Sequence, residues 1–197
     1  MDALRQGTEG FYLLISNEMF ENSSFLTPLH LGEPHWSKPP LHFWLAYLGY
    51  LLTGGTSLMV ARGMIALFSL GSLLYISTWA KKRLNIELST TLVFFAGTLG
   101  IIKYSRIYMM EIPLSLISFM ASLVFFEYLY NDNKKKLVGA SVLLALASLV
   151  KGPVAIVMCI GGVGVFAAIN WLQRGHLFFK KIFLWGLFSV LLSSIWY

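Results

Sequence analysis

Long apolar runs with short polar interruptions dominate the chain. The runs are Ser57–Ala80, Leu88–Ile102, Ile112–Tyr130, Leu137–Val150, Val154–Leu172 and Ile182–Tyr197. A helix that crosses a bilayer needs about 17–25 mostly apolar residues. Each run reaches or approaches that length with its aromatic or small flanks, so six transmembrane helices are predicted. Pro40–Leu52 is apolar for only about 13 residues before Thr53-Gly54-Gly55-Thr56, a length that suits a re-entrant or interfacial helix. Upstream, Tyr12–Glu21 interleaves Leu13, Leu14, Met19 and Phe20 with Ser16, Asn17, Glu18 and Glu21. At helical spacing this is an amphipathic segment suited to lying along a membrane surface. Ser23–Pro28 breaks that helix, and His30–Pro40 reads as a loop of turn formers and aromatic groups at headgroup level.

Composition agrees with lipid as the solvent. Of the 197 residues, 57% are hydrophobic and 12% charged, against roughly 45–50% and 25% in soluble domains, and mean hydropathy is +0.70. These values exclude a disordered tail, a disulfide scaffold and almost any water-soluble domain, whose surface needs polar cover. The single cysteine, Cys159, makes no intrachain disulfide. The net charge of +6 is concentrated in Lys81-Lys82-Arg83, Lys134-Lys135-Lys136 and Arg174 with Lys180-Lys181. These clusters are each two spans apart, so the positive-inside rule assigns all three to the cytoplasm rather than to nucleic acid. Residues 1–56, the turn Lys103–Glu111 and the turn Lys151–Pro153 then lie outside, together with Glu9, Lys38, Lys103, Arg106, Glu111 and Lys151.

Several outer residues admit both a structural and a chemical reading. Glu9 is either a helix-end charge favoured by the dipole or a general base facing an outer cavity. Lys38, held extended by two prolines, is either a snorkelling anchor or a ligand for a lipid phosphate. Glu111 stands two residues before Pro113 at the start of a span, where it offsets the helix dipole or pairs with Arg106 or Lys103. Lys151 snorkels or points into a cavity shared with Lys38. Arg62, five residues into its span, reaches the outer interface or pairs with an acid inside the bundle. The four histidines form no metal motif, and no Gly-rich phosphate loop is present. Gly161-Gly162 and Gly164 are positions where neighbouring helices are expected to approach closely.

Thr8-Glu9-Gly10-Phe11-Tyr12, Asn17-Glu18-Met19, Phe25-Leu26-Thr27-Pro28, Gly32 and Lys38-Pro39-Pro40-Leu41-His42-Phe43-Trp44-Leu45 follow one another in a recognisable order. They resemble the outer loop of GT-C type membrane glycosyltransferases of the dolichyl-phosphate-mannose–protein mannosyltransferase superfamily. The likeness is to the bacterial branch, which includes the aminoarabinose transferases of lipid A. Met110-Glu111-Ile112-Pro113-Leu114 resembles the family's second outer-loop motif, and Lys151-Gly152-Pro153 its later Lys-Gly-Pro turn. The resemblance implies transfer of a sugar from a polyprenyl phosphate to an acceptor hydroxyl on lipid A, a protein or a glycan. In relatives an acidic pair opens the first loop and its leading Asp is the usual base candidate; Thr8 occupies that place here, leaving Glu9. Glu111 stands for the usual Asp of the second motif. Ser37 replaces an acid that is linked to metal binding in some relatives, which disfavours a metal site, although a divalent ion is left open.

The expected architecture is an all-α polytopic membrane protein with a GT-C-like N-terminal bundle. Residues 1–56 form an extracytoplasmic loop with amphipathic and re-entrant helices, and 57–197 a bundle of about six transmembrane helices. Both ends are expected to fall short of the family's usual extent. Glu9 and Glu111 are the expected catalytic acids, and Lys38, Arg106 and Lys151 the donor-phosphate ligands, in an inverting displacement that needs no soluble cofactor. The expected location is a bacterial inner membrane with the site facing the periplasm or exterior. Expected partners are the lipid-linked donor, the acceptor and membrane lipids, without nucleic acid. The rival reading is a non-catalytic subunit or remnant that binds the lipid carrier or scaffolds other helices. A transporter fits less well, because its polar residues belong near mid-membrane.

Overall fold

The computed structural model describes residues 7–169, 171–194 and 196. Met1–Gln6 and Asn170 lie outside the described residues, as do the side chains of Arg174 and His176 and the terminal residues Ile195 and Tyr197. The chain forms two compact units, Met1–Leu116 and Ile117–Tyr197.

The first unit opens with α1, Gly7–Glu21. It ends where Ser23 takes a positive φ of 53° and the Ser24 N–H reaches back to the Met19 carbonyl at 2.8 Å, closing the orphan carbonyls of the last turn. The loop predicted over His30–Pro40 contains a small antiparallel hairpin, β1 (Leu29–His30) and β2 (Glu33–Pro34). Leu31 and Gly32 between them both have positive φ, 55° and 80°, as a tight hairpin turn requires. The strain of a leucine there is offset by Glu18, whose two carboxylate oxygens accept the Leu31 and Gly32 amides at 2.9 and 3.0 Å. Helix α2, Leu41–Thr53, follows the Pro39-Pro40 step and stops at Gly54, φ 77°. It is the short apolar helix expected from Pro40–Leu52. It packs so closely on α3 that a Cβ at Gly49 would stand 2.7 Å from Met64.

Helix α3, Leu58–Leu84, begins at the Ser57 cap and carries Lys81, Lys82 and Arg83 in its last turn, where cations suit the dipole. Its 27 residues span about 40 Å, longer than a hydrocarbon core. The predicted span Leu88–Ile102 is instead two pieces, α4 (Leu88–Ala96) and α5 (Leu99–Tyr104), because the chain becomes extended at Thr98 immediately after Gly97. Neither piece has the length to cross a bilayer. Helix α6, Glu111–Asn131, runs from the first unit into the second and, like α3, is long and apolar enough to span.

The second unit packs the rest of α6 with α7 (Lys134–Lys151), α8 (Val154–Ile169) and α9 (Trp171–Ser193). Phe125 of α6 stacks on Trp185 of α9 with centroids 4.1 Å apart. Close helix approach occurs at Gly186, where a Cβ would stand 2.7 Å from Ile160. The glycines singled out from the sequence, Gly161, Gly162 and Gly164, have open space instead. Helix α9 starts eleven residues before the predicted Ile182, so the expected basic loop is helical. Arginine and lysine are good helix formers, and Lys181 is tied down by Asp132 at 2.9 Å and the Leu129 carbonyl at 3.2 Å. Those contacts bring the second and third basic clusters to one end of the unit, as their spacing predicts. The turn between α7 and α8 lies at the other end of α7. Gly152 there has φ 72°, ψ −151°, a conformation open essentially to glycine alone. Gly152→Ala is expected to cost about 1–3 kcal/mol of stability, read as a lower unfolding midpoint in detergent with helix content unchanged.

Candidate active site

Glu9 lies in the first turn of α1 and is fully buried, 0% exposed. Its carboxylate receives Arg62 of α3 as a two-pronged fork, Nε to Oε1 and Nη2 to Oε2, both at 2.8 Å. Oε1 also accepts the Tyr108 backbone N–H at 2.8 Å. Of the two readings open for Arg62, the structure selects pairing with an acid, and Glu9 is that acid. Burying an ion pair is costly unless its geometry is good and its remaining lone pairs are used; the fork and the amide meet both conditions.

Tyr108 is the hub of this region. Its ring stacks on His42 of α2, centroids 4.2 Å apart and 21° between planes. Its hydroxyl donates to the His42 carbonyl at 3.0 Å and lies 2.7 Å from Ser16 Oγ, which in turn reaches the Tyr12 carbonyl at 2.9 Å. Two hydroxyl protons serve three oxygen contacts. His42 is enclosed by Tyr12, Phe43 and Tyr108, and neither ring nitrogen has a hydrogen-bond partner among the described residues. Burial pushes its pKa down to about 3, so the ring is neutral throughout the physiological range.

The turn before α6 therefore meets α1 at several points. Thr8 Oγ1 contacts Met109 Sδ at 3.6 Å. Glu111, half-buried at the start of α6, is near enough to Tyr12 that its charge, after burial, helps hold the phenol above its usual pKa. The two expected acids thus belong to one neighbourhood of the first unit. The basic last turn of α3 is nineteen residues beyond Arg62, about 28 Å along the helix.

The expected cations are distributed differently. Lys38 is half-buried four residues before His42, beside the pair His30 and His35, whose rings are 6.0 Å apart and both edge-on to Phe11. His35 contacts Ser37 Oγ at 2.7 Å, and its pKa is lowered by burial and then by the charges of His30 and Lys38. Arg106 is exposed and donates Nε to the Ile102 carbonyl at 3.0 Å, closing α5. Lys151 ends α7 in the second unit, where its charge offsets the helix dipole. No group of three or more His, Cys, Asp and Glu side chains comes together among the described residues. Tyr108 and Ser16 were not singled out from the sequence, because each sits in an ordinary-looking aromatic or polar context, and His42 entered only within the Lys38–Leu45 motif. A further signal was the four-residue spacing that puts Tyr12 and Ser16 on one face of α1.

Two outcomes are expected in thermal or denaturant unfolding. Arg62→Ala strands a buried carboxylate and should lose about 3–5 kcal/mol, whereas Glu9→Gln combined with Arg62→Met should lose less. Between pH 6.5 and 3 the unfolded chain binds a proton at residue 42 that the folded chain does not, so stability should fall on acidification by about 1 kcal/mol per pH unit from this group. His42→Phe should remove that component of the slope; an unchanged slope would contradict the burial argument.

Residues 37–197 match the family model described as dolichyl-phosphate-mannose-protein mannosyltransferase. Two uncharacterized proteins of Aquifex aeolicus are similar, one 25% identical over 201 residues with all of this chain covered, the other 27% identical over 176 residues covering 78%. The crystal structure of ArnT from Cupriavidus metallidurans bound to undecaprenyl phosphate superposes with a TM-score of 0.82 at 19% identity over 98% of this chain. The apo form of the same protein gives 0.81 at 20% identity over 100%. The fold is therefore that of an all-α polytopic membrane protein of the GT-C type. The chain spans 39% and 35% of the two Aquifex proteins and 36% and 37% of the ArnT chains. Because the family match runs across most of the 197 residues, the chain belongs to the dolichyl-phosphate-mannose-protein mannosyltransferase family.

Proposed function

We propose that the chain is part of a glycosyltransferase that moves a sugar from a polyprenyl phosphate to an acceptor hydroxyl of a lipid, protein or glycan. Family membership supports the reaction type, and the undecaprenyl phosphate bound to ArnT supports the carrier. The observation that carries the reading is the meeting of the two acid-bearing motifs, Thr8-Glu9-Gly10 and Met110-Glu111-Ile112-Pro113, through Tyr108. In a bacterial inner membrane this neighbourhood would face the periplasm or exterior, away from the basic end of α3.

The two acids take different parts. Glu9 has both oxygens engaged by donors at 2.8 Å, which suits bracing the turn more than taking a proton. Glu111, half-buried and three residues beyond Tyr108, is the better candidate for the base, reversing the leading and supporting parts expected from the sequence. The acceptor O–H gives its proton to Glu111 as the oxygen bonds to the anomeric carbon, and the bond from that carbon to the phosphate oxygen breaks. The carrier leaves as a phosphate with an added negative charge, which Lys38 offsets. Arg106 of the same unit is a candidate for the same task by charge.

The test is sugar transfer from a labelled polyprenyl-phosphate donor in membranes containing the chain. Glu111→Gln is expected to lower kcat by about 100-fold or more, and Lys38→Gln to weaken both KM and kcat. Wild-type turnover in Glu111→Gln would remove that residue as base. Binding of the donor without any transfer by the unaltered chain would favour the carrier-binding reading, which Thr8 at the place of the leading acid supports.

A further inference from the structure

We propose that the end of the second unit formed by the α6–α7 turn and α9 binds the headgroup of an anionic phospholipid through Lys134, Lys135 and Lys180. Residues 117–197 contain two carboxylates, Glu127 and Asp132. Each is already paired, Glu127 with Lys136 at 2.8 Å and Asp132 with Lys181 at 2.9 Å. Lys134, Lys135 and Lys180 are exposed and in no ion pair among the described residues, so an uncompensated positive charge is left at this end.

The three lysines belong to the same end of the unit. Only Asp132 and Asn133 separate α6 from α7, and Asp132 turns the chain with φ 53°. Asn133 caps α7 by accepting the Lys135 N–H at 3.0 Å. Lys181 fastens α9 to the same turn, donating to the Leu129 carbonyl and standing 4.9 Å over the Tyr128 ring. Its neighbour Lys180 is at the same level of α9, exposed. Lys134 and Lys135 also occupy the first turn of α7, the end where a helix dipole disfavours cations. An anion placed there relieves both the dipole and the mutual repulsion.

What surrounds the cluster identifies the source of the anion. Val138 is 62% and Phe183 68% exposed, and Tyr130 and Phe179 are exposed as well. Cations rimmed by outward apolar and aromatic groups match the headgroup level of a bilayer, where anionic lipids attract lysine. A phosphate tethered to acyl chains satisfies both halves of this surface, whereas a free phosphate satisfies one.

The test is the relative binding of spin-labelled phosphatidylglycerol over phosphatidylcholine to the full chain in vesicles of mixed composition. The unaltered chain should prefer phosphatidylglycerol, and replacing each of Lys134, Lys135 and Lys180 by Gln should reduce that preference about fivefold per lysine. The corresponding Arg variants should keep it. Helix content and the unfolding midpoint in phosphatidylcholine alone should be no lower in the triple Gln variant, since its adverse dipole charges are gone. Full preference in the triple Gln variant would overturn the proposal. So would inorganic phosphate stabilising the unaltered chain as strongly as phosphatidylglycerol does, because the site would then be one for a soluble anion.

Discussion

A carboxylate with no solvent exposure is tolerable only if other groups replace its water, and that requirement organises the first unit. Glu9 obtains its replacements from α3 and from the turn before α6, so α1, α3 and that turn must arrive together or not at all. Arginine is needed for this, because its planar fork reaches both oxygens at once, which a lysine ammonium does not. The amide of Tyr108 completes the set, so a backbone atom far along the chain depends on a side chain in the first turn of α1. The hairpin and α2 are then added through Glu18 and the Tyr108–His42 stack.

The parts of this arrangement were unequally legible. Apolar run length located α3 and α6, because in lipid a helix must satisfy its own backbone and its extent follows the hydrocarbon thickness. Run length failed at Leu88–Ile102, where a Gly97-Thr98 step costs little in hydropathy but ends the helix. It failed again at Arg174–Lys181, where charge suggested a loop although the residues favour helix. Positive-φ sites such as Leu31 left no trace in the sequence, because the Glu18 carboxylate that supports the turn comes from thirteen residues upstream.

The site was legible in its acids and cations, not in its connections. Motif order brought Glu9 and Glu111 forward as a set, and the structure gives them a common neighbourhood around Tyr108 and Tyr12. Arg62 had a partner predicted in kind but not in name, since a separation of 53 residues carries no local periodicity linking them. Tyr108 was passed over because aromatic residues in such runs are usually packing groups. Its position between a hydrogen bond from its amide to a carboxylate and one between its phenol and the Ser16 hydroxyl is visible only in three dimensions.

The shortage of one proton among Tyr12, Ser16, Tyr108 and His42 has a directional consequence. If the chain of hydroxyls points one way, Tyr108 donates to Ser16 and Ser16 to the Tyr12 carbonyl; pointed the other way, Ser16 donates to Tyr108 and Tyr108 to the His42 carbonyl. While the hydrogen bond between the two hydroxyls is kept, the same pair of protons therefore serves the carbonyl of α1 or that of α2, not both. Rotating two hydroxyls moves no heavy atom yet reverses a small dipole next to the Glu9 anchor, giving the otherwise rigid aromatic cluster a reversible internal polarity.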